Sequence, residues 1–431
     1  MRSLWQESVE MLDFPQLEGD KKTDVLIIGG GMAGLLCAYY LHRMGVSCIL
    51  AEKDRICSGV TGNTTAKITY QHGLIYHKLL KSGGQETARA YLEANKKALD
   101  EYANLCKNIN CDYEIKDNYV YSSDLFKISR EMEALDKIGY SAKFREKLPL
   151  PINTAGAVKF SAQAQFHPLK FACDISRGLN IYEHTKVLEM IGTTARTERG
   201  RIEAKKVIVA THFPFINKHG SYYLKLYQHR SYVIALENAA EVDGMYVDDD
   251  KKGMSFRNHK KFLFVGGGDH RTGAKGGNWN ELREFARINY PDAREKYHWA
   301  AQDTMSLDDI PYIGNYSKNT PDLYVASGFN KWGMTGAMVS AMLLSDMIVG
   351  KKNEYAEYFS PSRSILKPRL ALNGFEAAKN LITFTGKRCP HMGCALKWNE
   401  AEHSWDCPCH GSRFSEDGEV LDNPANNGLN S

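Results

Sequence analysis

The sequence predicts an α/β fold in which a parallel sheet carries an inserted α+β domain and is followed by a small all-β domain. The first observation is a strand–turn–helix–strand unit at residues 24–52, and the second is a stretch rich in Cys and His at residues 389–414. At about 100–200 residues per domain, the 431 residues are enough for two or three domains. A hydrophobic content of 43% excludes a wholly disordered protein.

Charge and hydropathy exclude several classes of partner. Lys and Arg exceed Asp and Glu by 55 to 51, an excess too small and too evenly spread to indicate nucleic acid or an anionic membrane as the main partner. The first 14 residues lack the charged start and apolar run of a leader, and no stretch approaches about 18 uninterrupted apolar residues. We therefore expect no membrane span and a cytoplasmic location.

The glycine turn after the first strand has the spacing of a dinucleotide-binding motif. Residues 24–28 form a short β-branched run, and Gly29, Gly31 and Gly34 follow in the pattern G-x-G-x-x-G. The first glycine allows a tight turn, the second lets the backbone approach a pyrophosphate, and the third permits close packing of helix on strand. Glu52 ends the second strand, 18 residues after Gly34, where its carboxylate can accept hydrogen bonds from ribose hydroxyls. The unit predicts a Rossmann-like dinucleotide site.

The place of this motif in the chain and two later strands indicate that the dinucleotide is FAD. The motif opens the chain, as is usual where FAD stays bound, and NAD is the alternative. Two later apolar strands end in small-residue turns at Thr211 and Gly328. A glycine-containing helix start with Gly333 and Gly336 follows the second of them, and its N–H groups could point at the flavin ring.

The remaining segments divide the chain into domains. We assign residues 1–365 to a FAD-dependent oxidoreductase domain, with FAD-binding parts at about 20–83, 149–215 and 300–350 and inserted substrate-domain parts at about 84–148 and 216–299. Within the insert, the patterns predict strands at 112–122, 231–237 and 261–268 and a helix over 279–299. A stretch at 360–368 rich in Pro, Ser and basic residues reads as a linker, and residues 366–431 form the C-terminal domain.

Four metal-binding side chains stand in the C-terminal domain. Cys389 and His391 form C-x-H, Cys407 and His410 form C-x-x-H, and 15 residues separate the pairs. Two thiolates and two imidazoles can bind a tetrahedral zinc, or a [2Fe–2S] cluster with both cysteines on one iron and both histidines on the other. An unligated disulfide loop is the third interpretation. The extra cysteine in each loop favours the cluster.

This segment resembles the disulfide-bearing Rieske iron–sulfur domain of respiratory and photosynthetic complexes. The resemblance implies that Cys389, Cys407, His391 and His410 are the cluster ligands and that Cys394 and Cys409 form the disulfide. It also implies that Ser412 donates a hydrogen bond to a bridging sulfide. The highest-potential members have Tyr at the position of Phe414, so we expect a lower reduction potential here.

The Rieske segment is short. About 20 residues separate the linker from Cys389, and 17 residues follow Phe414. Rieske domains usually have further strands on both sides. We therefore expect that the cluster is either supported by the flavin domain or poorly held.

Residues 24–365 resemble the D-amino-acid oxidase-like FAD-dependent oxidoreductases, a group that includes glycine oxidase. The residues that carry the resemblance are the glycine motif with Glu52, Phe166–Pro168, Asp308–Gly314, and the final element from Leu323 to Gly336. Together with Ser58–Lys67 and Trp299–Asp303, the domain order is similar to a bacterial family of FAD oxidoreductases that carry a Rieske domain. Relatives that oxidise amino acids usually place an Arg before the late Asp/Pro motif. Ala300-Ala301-Gln302 stands there, which disfavours an α-amino-acid substrate.

The sequence offers candidates for residues near the flavin. Thr61 and Thr65 are expected at the cofactor, and Lys67 is expected to stabilise reduced flavin, with a solvated loop lysine as the alternative. His72 is a candidate general base or, alternatively, a hydrogen-bonded residue in a turn. Arg230 is a candidate for binding an anionic substrate, with a structural ion pair as the alternative. His167, before Pro168, is expected to cap the next helix.

These features predict a FAD-dependent oxidoreductase with two redox centres. It takes a hydride from a small, amine-like substrate and passes the electrons one at a time through the Rieske cluster to an external carrier. The first alternative is an oxygen-using oxidase in which the cluster is structural or a sensor. The second is a non-catalytic electron carrier whose partner protein supplies the active site.

Overall fold

The structure is a computed structural model that describes residues 2–250, 253–383 and 386–429. The helices are α1 Leu4–Ser8, α2 Met32–Arg43, α3 Tyr76–Cys106, α4 Leu125–Lys137, α5 Pro168–Ile175, α6 Tyr222–Lys225, α7 Asn280–Asn289, α8 Gly333–Ile348, α9 Ala356–Phe359 and α10 Pro368–Ile382. A 3₁₀ turn spans Val60–Asn63, and α3 is kinked at Gly84. As expected, His167 is the N-cap of α5, and its Nδ1 accepts from the Lys170 N–H.

The strands, in chain order, are β1 Lys21–Ile28, β2 Cys48–Ala51, β3 Lys67–Ile68, β4 Glu114–Ser122, β5 Lys143–Arg145, β6 Gly156–Gln165, β7 Ile181–Tyr182, β8 Glu189–Ile191, β9 Thr194–Arg196, β10 Arg201–Val209, β11 Leu226–Glu237, β12 Met245–Asp248, β13 Ser255–His259, β14 Phe262–Arg271, β15 Arg294–Ser306, β16 Tyr312–Asn315, β17 Leu323–Ser327, β18 Lys397–Asn399, β19 Ser404–Asp406, β20 Arg413–Phe414 and β21 Val420–Asp422. They form three sheets.

The first sheet holds the dinucleotide motif. Its order is β16-β17-β10-β1-β2-β7, with the β8–β9 hairpin on β10. β1 runs parallel to both β2 and β10, with Ile28 opposite Ala51 and Val209. The carboxyl ends of these strands therefore meet at one edge, where open α/β sheets bind their ligands.

The second sheet has the order β15-β11-β14-β13-β12-β4-β6-β3, with β5 on β6, and forms the inserted domain. It takes β6 from the segment 149–215, which the sequence assigned to the FAD-binding part, because β6 pairs along β4. It also contains β15, which crosses the expected boundary at 300 because it pairs with β11 over most of its length. The helix predicted over 279–299 ends at Asn289, before Pro291, and β15 follows.

The third sheet, β18-β19-β20-β21, is antiparallel and lies after α10. The predicted fold class is confirmed: a Rossmann-like α/β domain, an inserted α+β domain and a small β domain. Within the described ranges, none of the helices is long and apolar enough to cross a membrane.

The third glycine of the motif is under the tightest steric constraint. A β-carbon at Gly34 would overlap the Gly29 carbonyl oxygen, where α2 lies against the turn after β1. We predict that Gly34→Ala lowers stability by about 1–3 kcal/mol and releases FAD. Thermal melting and the flavin content of the purified protein measure both effects.

Gly374→Ala is the matched control, because a β-carbon there meets nothing within 4 Å on α10. It is expected to leave FAD bound and to raise helix stability by up to about 1 kcal/mol. Full FAD binding by Gly34→Ala would contradict the steric argument.

Candidate functional site

A cavity of about 860 Å³ lies at the carboxyl edge of the first sheet and extends to the second sheet. Its lining includes the predicted cofactor residues Gly29, Gly31, Glu52, Thr61, Thr65, Thr211 and Gly333. This volume is in the range of sites that enclose large ligands. Residues far apart in sequence therefore converge on one chamber.

The glycine turn leaves room and donors for a pyrophosphate. Gly29 has φ +109°, and a β-carbon there would lie 2.5 Å from the Ala210 carbonyl oxygen. At Gly31 the space on the cavity side is open: the nearest atom to a β-carbon, Thr61 Oγ1, would be 3.5 Å away. Gly31 is the N-cap of α2 and has no side chain to cap the helix. The Met32 N–H donates to Thr61 Oγ1 at 3.0 Å, and the N–H groups that follow it in the first turn can donate to a phosphate.

Glu52 both shapes the turn and faces the cavity. Its carboxylate accepts from Gly30 N at 2.6 Å and from Asp54 N at 3.0 Å. Burial raises the pKa of Glu52, although these hydrogen bonds act in the opposite direction. Lone pairs remain for ribose hydroxyls, so the residues present fit a dinucleotide.

Two of the predicted cofactor glycines have a packing role instead. Gly328 has φ +75° in the turn after β17, and Gly336 lies in the first turn of α8. A β-carbon at Gly336 would lie 2.6 Å from Cδ1 of Phe329, which itself lines the cavity. Neither glycine lines the cavity. Gly328 allows the backbone turn after β17, and Gly336 leaves room for the Phe329 ring, which forms part of the cavity wall.

Lys67 faces the cavity beside a second, buried cation. Its Nζ donates to Thr65 Oγ1 at 3.2 Å. The Arg257 guanidinium, 0% exposed, donates to the carbonyls of Thr65 (2.7 Å) and Ala66 (2.8 Å). Its Cζ lies 5.5 Å from the ring centroids of Trp5 and of Phe264. Burial, and then the Arg257 charge, lower the pKa of Lys67 to about 7. Lys67 can therefore change protonation near neutral pH.

His72 does not line the cavity. It is 5% exposed, its Nδ1 is 2.6 Å from the Tyr91 hydroxyl, and its Nε2 is 2.7 Å from the Thr69 carbonyl oxygen. Its ring stacks on Trp332, and burial lowers its pKa to about 3. These contacts match the alternative interpretation of His72 as a hydrogen-bonded residue in a turn.

Arg230 lines the cavity, but its charge is neutralised by the C-terminal domain. Its guanidinium forms a buried two-point ion pair with Glu402, with Nε to Oε1 at 3.0 Å. Glu402 also accepts from Arg413 Nη2 at 2.9 Å. Burial lowers the pKa of Arg413, but the carboxylates of Glu402, Asp406 and Asp422 together hold that pKa above its usual value. The contacts of Arg230 are those of the structural ion pair.

The four predicted cluster ligands come together from two loops, one before β18 and one between β19 and β20. Cys389 and Cys407 are each 1% exposed, and the rings of His391 and His410 lie 5.0 Å apart. Both histidine Nδ1 atoms are buried and have no hydrogen-bond partner in the described part of the chain. Burial lowers the pKa of His391 to about 4 and that of His410 to about 3, so both are neutral as metal ligands must be. Two free thiols and two orphaned Nδ1 atoms fit a Rieske cluster.

The extra cysteines and Ser412 surround these ligands. Cys394 and Cys409 form a disulfide, and the Sγ atoms of Cys394, Cys407 and Cys409 lie within 4.8 Å of one another. Ser412 Oγ accepts from Ala425 N at 3.0 Å, which leaves its own hydrogen free to donate. Phe414 is 0% exposed and packs in the same small core as the cysteines.

The second ligand loop is seated on the inserted sheet. Arg271 donates to the carbonyls of Pro408 (3.1 Å) and Cys409 (3.3 Å), and Gln302 Nε2 donates to the Gly411 carbonyl at 2.8 Å. A β-carbon at Gly411 would overlap the Gln228 side chain. The flavin domain therefore supports the short cluster domain, which is the first of the two expectations stated above.

Comparison with known proteins agrees with this geometry. Residues 24–347 match the DAO model, described as FAD dependent oxidoreductase, and residues 348–431 match the Rieske [2Fe-2S] domain. This chain belongs to the DAO family of FAD dependent oxidoreductases and carries a Rieske domain. Its cofactors are FAD and a Rieske [2Fe–2S] cluster, as predicted, rather than NAD or zinc.

Individual proteins are similar to the whole chain, to its Rieske domain or to its flavin domain. YhfW of Bacillus subtilis (strain 168), named as a Rieske 2Fe-2S iron-sulfur protein, is 35% identical over 98% of this chain and 95% of its own. The cytochrome b6-f iron-sulfur subunit of Nostoc punctiforme is 51% identical over 9% of this chain and 21% of its own. Glycine oxidase from Geobacillus kaustophilus has a TM-score of 0.68 at 18% identity, covering 80% of this chain and all of that one. The last similarity concerns the fold.

Several residues at the site have no sequence signal. Glu402, Arg271 and Asn423 act across the boundary between the domains, and no local motif marks an interdomain contact. His212 lines the cavity with φ +65° and is held by Gln228 Oε1 at 3.2 Å. Its position after β10 was the one available hint.

The Arg257 charge is testable through Lys67. We predict that Arg257→Met raises the pKa of Lys67, because a like charge is removed while burial remains. The pH at which an acylating reagent half-maximally labels Lys67, read by mass spectrometry, should rise. Arg257→Lys should give a smaller rise, because a buried ammonium keeps its charge less firmly than a guanidinium does.

Arg287→Met, on the exposed face of α7, is the control for general charge effects. An unchanged midpoint in a folded, flavin-containing Arg257→Met protein would contradict the coupling of the two cations.

The cluster potential is expected to respond to two hydroxyls. Phe414→Tyr adds a donor beside the ligand thiolates, and one hydrogen bond of about 1 kcal/mol raises the potential by about 40 mV. Ser412→Ala removes a donor and should lower the potential by a similar amount. EPR-monitored redox titration measures both.

Trp405→Phe is the control, since Trp405 packs against the same core and its Nε1 has no partner among residues 2–250, 253–383 and 386–429. A Phe414→Tyr titration that shows no rise would overturn the assignment.

Proposed function

We propose that the protein oxidises a small amine-like substrate at FAD and passes the electrons singly through its Rieske cluster to an external carrier. FAD exchanges two electrons or one, and a Rieske cluster exchanges one at a potential well above that of plant-type ferredoxins, so transfer from flavin to cluster is favourable. The substrate would lose a hydride from carbon and a proton from nitrogen and become an imine.

The contact between the two sites is the observation that carries the proposal. Thr211 lines the flavin cavity, and two residues later the ring of Phe213 lies 6.3 Å from the ring of the cluster ligand His410. Asn423 of the cluster domain donates to the carbonyls of Thr211 (2.9 Å) and Phe213 (2.7 Å). One tripeptide thus touches both cofactor sites, an arrangement that favours internal electron transfer over an isolated structural cluster.

The cavity wall supports an amine over an amino acid. Ala300, Ala301 and Gln302 supply no cation for a carboxylate, and the Gln302 side chain donates away to Gly411. Lys331, which also lines the cavity, is paired with Asp269. Asp303 lines the same wall, and its burial raises its pKa to about 6. A carboxylate there can pair with a substrate ammonium or accept its proton.

The names of relatives point the same way. Gamma-glutamylputrescine oxidoreductase of Escherichia coli (strain K12) is 26% identical over 46% of this chain and 50% of its own. The compound in that name is a derivative of putrescine, which is a diamine. It supports the choice of amines as the first substrates to test.

Anaerobic mixing with a panel of small primary and secondary amines tests the proposal. We expect flavin bleaching and the EPR signal of reduced cluster to develop in one reaction. Bleaching without cluster reduction would favour the oxidase alternative, and no bleaching with any amine would favour the electron carrier. α-Amino acids form the comparison panel and should react more slowly.

The ion pair between the domains should control how fast electrons pass from the flavin to the cluster. Glu402→Gln leaves two buried guanidinium groups without their shared anion, a loss of about 3–5 kcal/mol. We predict that cluster reduction slows more than flavin bleaching does, so that the two signals separate in time, as measured by stopped-flow absorbance and freeze-quench EPR.

Glu400→Gln, two residues earlier on an exposed site, is the matched control. Wild-type cluster reduction in Glu402→Gln would show that docking does not depend on this pair.

A further inference from the structure

The outer face of α10 is apolar and exposed. Leu372, Phe375 and Ile382 are 63%, 67% and 77% exposed and lie on one side of the helix. Ala371 and Ala378 are exposed on the same side. These residues, 371, 372, 375, 378 and 382, are the outer patch. Large aliphatic and aromatic side chains in this number are costly to hold in water, so the patch marks a binding surface.

The inner face of the same helix covers the cluster domain. Ala377 packs against the core of the cluster cysteines, and the Asn380 carbonyl accepts from Ala395 N at 2.9 Å. Arg388 Nη1 donates to the carbonyls of Leu381 and Gly393. The end of α10 is thereby tied to the first ligand loop, and an occupant of the outer patch would lie beside that loop.

The exposed surface continues from the helix onto this loop. Met392, next to the ligand His391, is 46% exposed, and its loop is tied to the end of α10 by Arg388. The His391 side of the cluster is therefore the side nearest to whatever binds the patch.

Basic residues surround the outer patch. Residues 366–395 contain five Lys and Arg (Lys367, Arg369, Lys379, Lys387 and Arg388) and one acidic residue, Glu376. Lys379 is exposed on the patch side itself, and the Glu376 carboxylate accepts from Asn380 Nδ2 at 3.3 Å. Arg369 is paired with Asp309, and Lys367 Nζ lies 3.9 Å from an Asp308 carboxylate oxygen. The exposed cations beside the outer patch are therefore Lys379, Lys387 and Arg388.

We propose that the outer patch of α10 docks on an anionic membrane surface. Leu, Phe and Ile on one face with Lys and Arg around them is the composition of a helix that lies in the lipid interface. Its apolar face would enter the boundary between headgroups and acyl chains, and each nearby cation would gain about 1 kcal/mol from anionic lipid. A protein interface would be expected to be depleted in Lys instead.

This inference goes beyond the proposed function and does not depend on it, since lipid binding needs neither substrate nor electron flow. If both hold, docking places the His391 side of the cluster near the bilayer.

Co-sedimentation of the full-length holoprotein with vesicles tests the proposal. Vesicles of phosphatidylcholine with phosphatidylglycerol should carry the protein down, and pure phosphatidylcholine vesicles should bind it about tenfold less. Leu372→Gln/Phe375→Gln/Ile382→Gln should lose binding by about tenfold or more. Phe375→Trp should shift its fluorescence to the blue on the anionic vesicles.

Leu125→Gln/Phe126→Gln is the matched control, because these side chains are 52% and 67% exposed on α4, away from the basic segment. Flavin and cluster spectra show that each variant is folded. Undiminished binding by the triple variant, or no binding by the intact holoprotein, would overturn the proposal. So would self-association in solution that the triple variant abolishes without any vesicle binding, which would assign the patch to a second copy of this chain.

Discussion

The buried pairing of Glu402 with Arg230 and Arg413 is the constraint on which the arrangement of the two domains depends. Glu402 belongs to the cluster domain and Arg230 to the inserted sheet, and both are largely shielded from water. Charges withdrawn from water are tolerated only when paired, so the domains cannot separate without exposing or stranding them. The cluster domain has four short strands in its described part and a small core, and the contacts of Arg271 and Gln302 supply support that its own sheet does not.

Local patterns predicted the cofactors well because both motifs are local. The glycine turn needs particular backbone angles and open space within six residues, and cluster ligation needs four donors in two short loops. Such sites can be predicted from the spacing of a few residue types along the chain. The same is true of His167, whose cap involves only the next few residues.

The roles of Arg230 and His72 could not be predicted in this way. The partner of Arg230 is 172 residues away, and the hydrogen-bond partners of His72 are set by how α3 packs on the sheet. The prediction of a helix over 279–299 was wrong beyond Asn289. The charged, alternating stretch after Pro291 forms a strand instead, because it pairs with β11. In these cases, contacts between residues far apart in the chain determine the structure, and the pattern of a single sequence does not reveal such contacts.

The wall of the flavin cavity has a consequence for how the protein is assembled. Leu421, Asp422, Asn423, Ala425 and Asn426 line the cavity, although they follow the glycine turn by about 390 residues. During synthesis the phosphate-binding turn is made early, but the chamber around it stays open until the iron–sulfur domain has folded against it. The flavin site is therefore completed by the last part of the chain to be made, and its wall closes only when the C-terminal domain has folded against the first sheet.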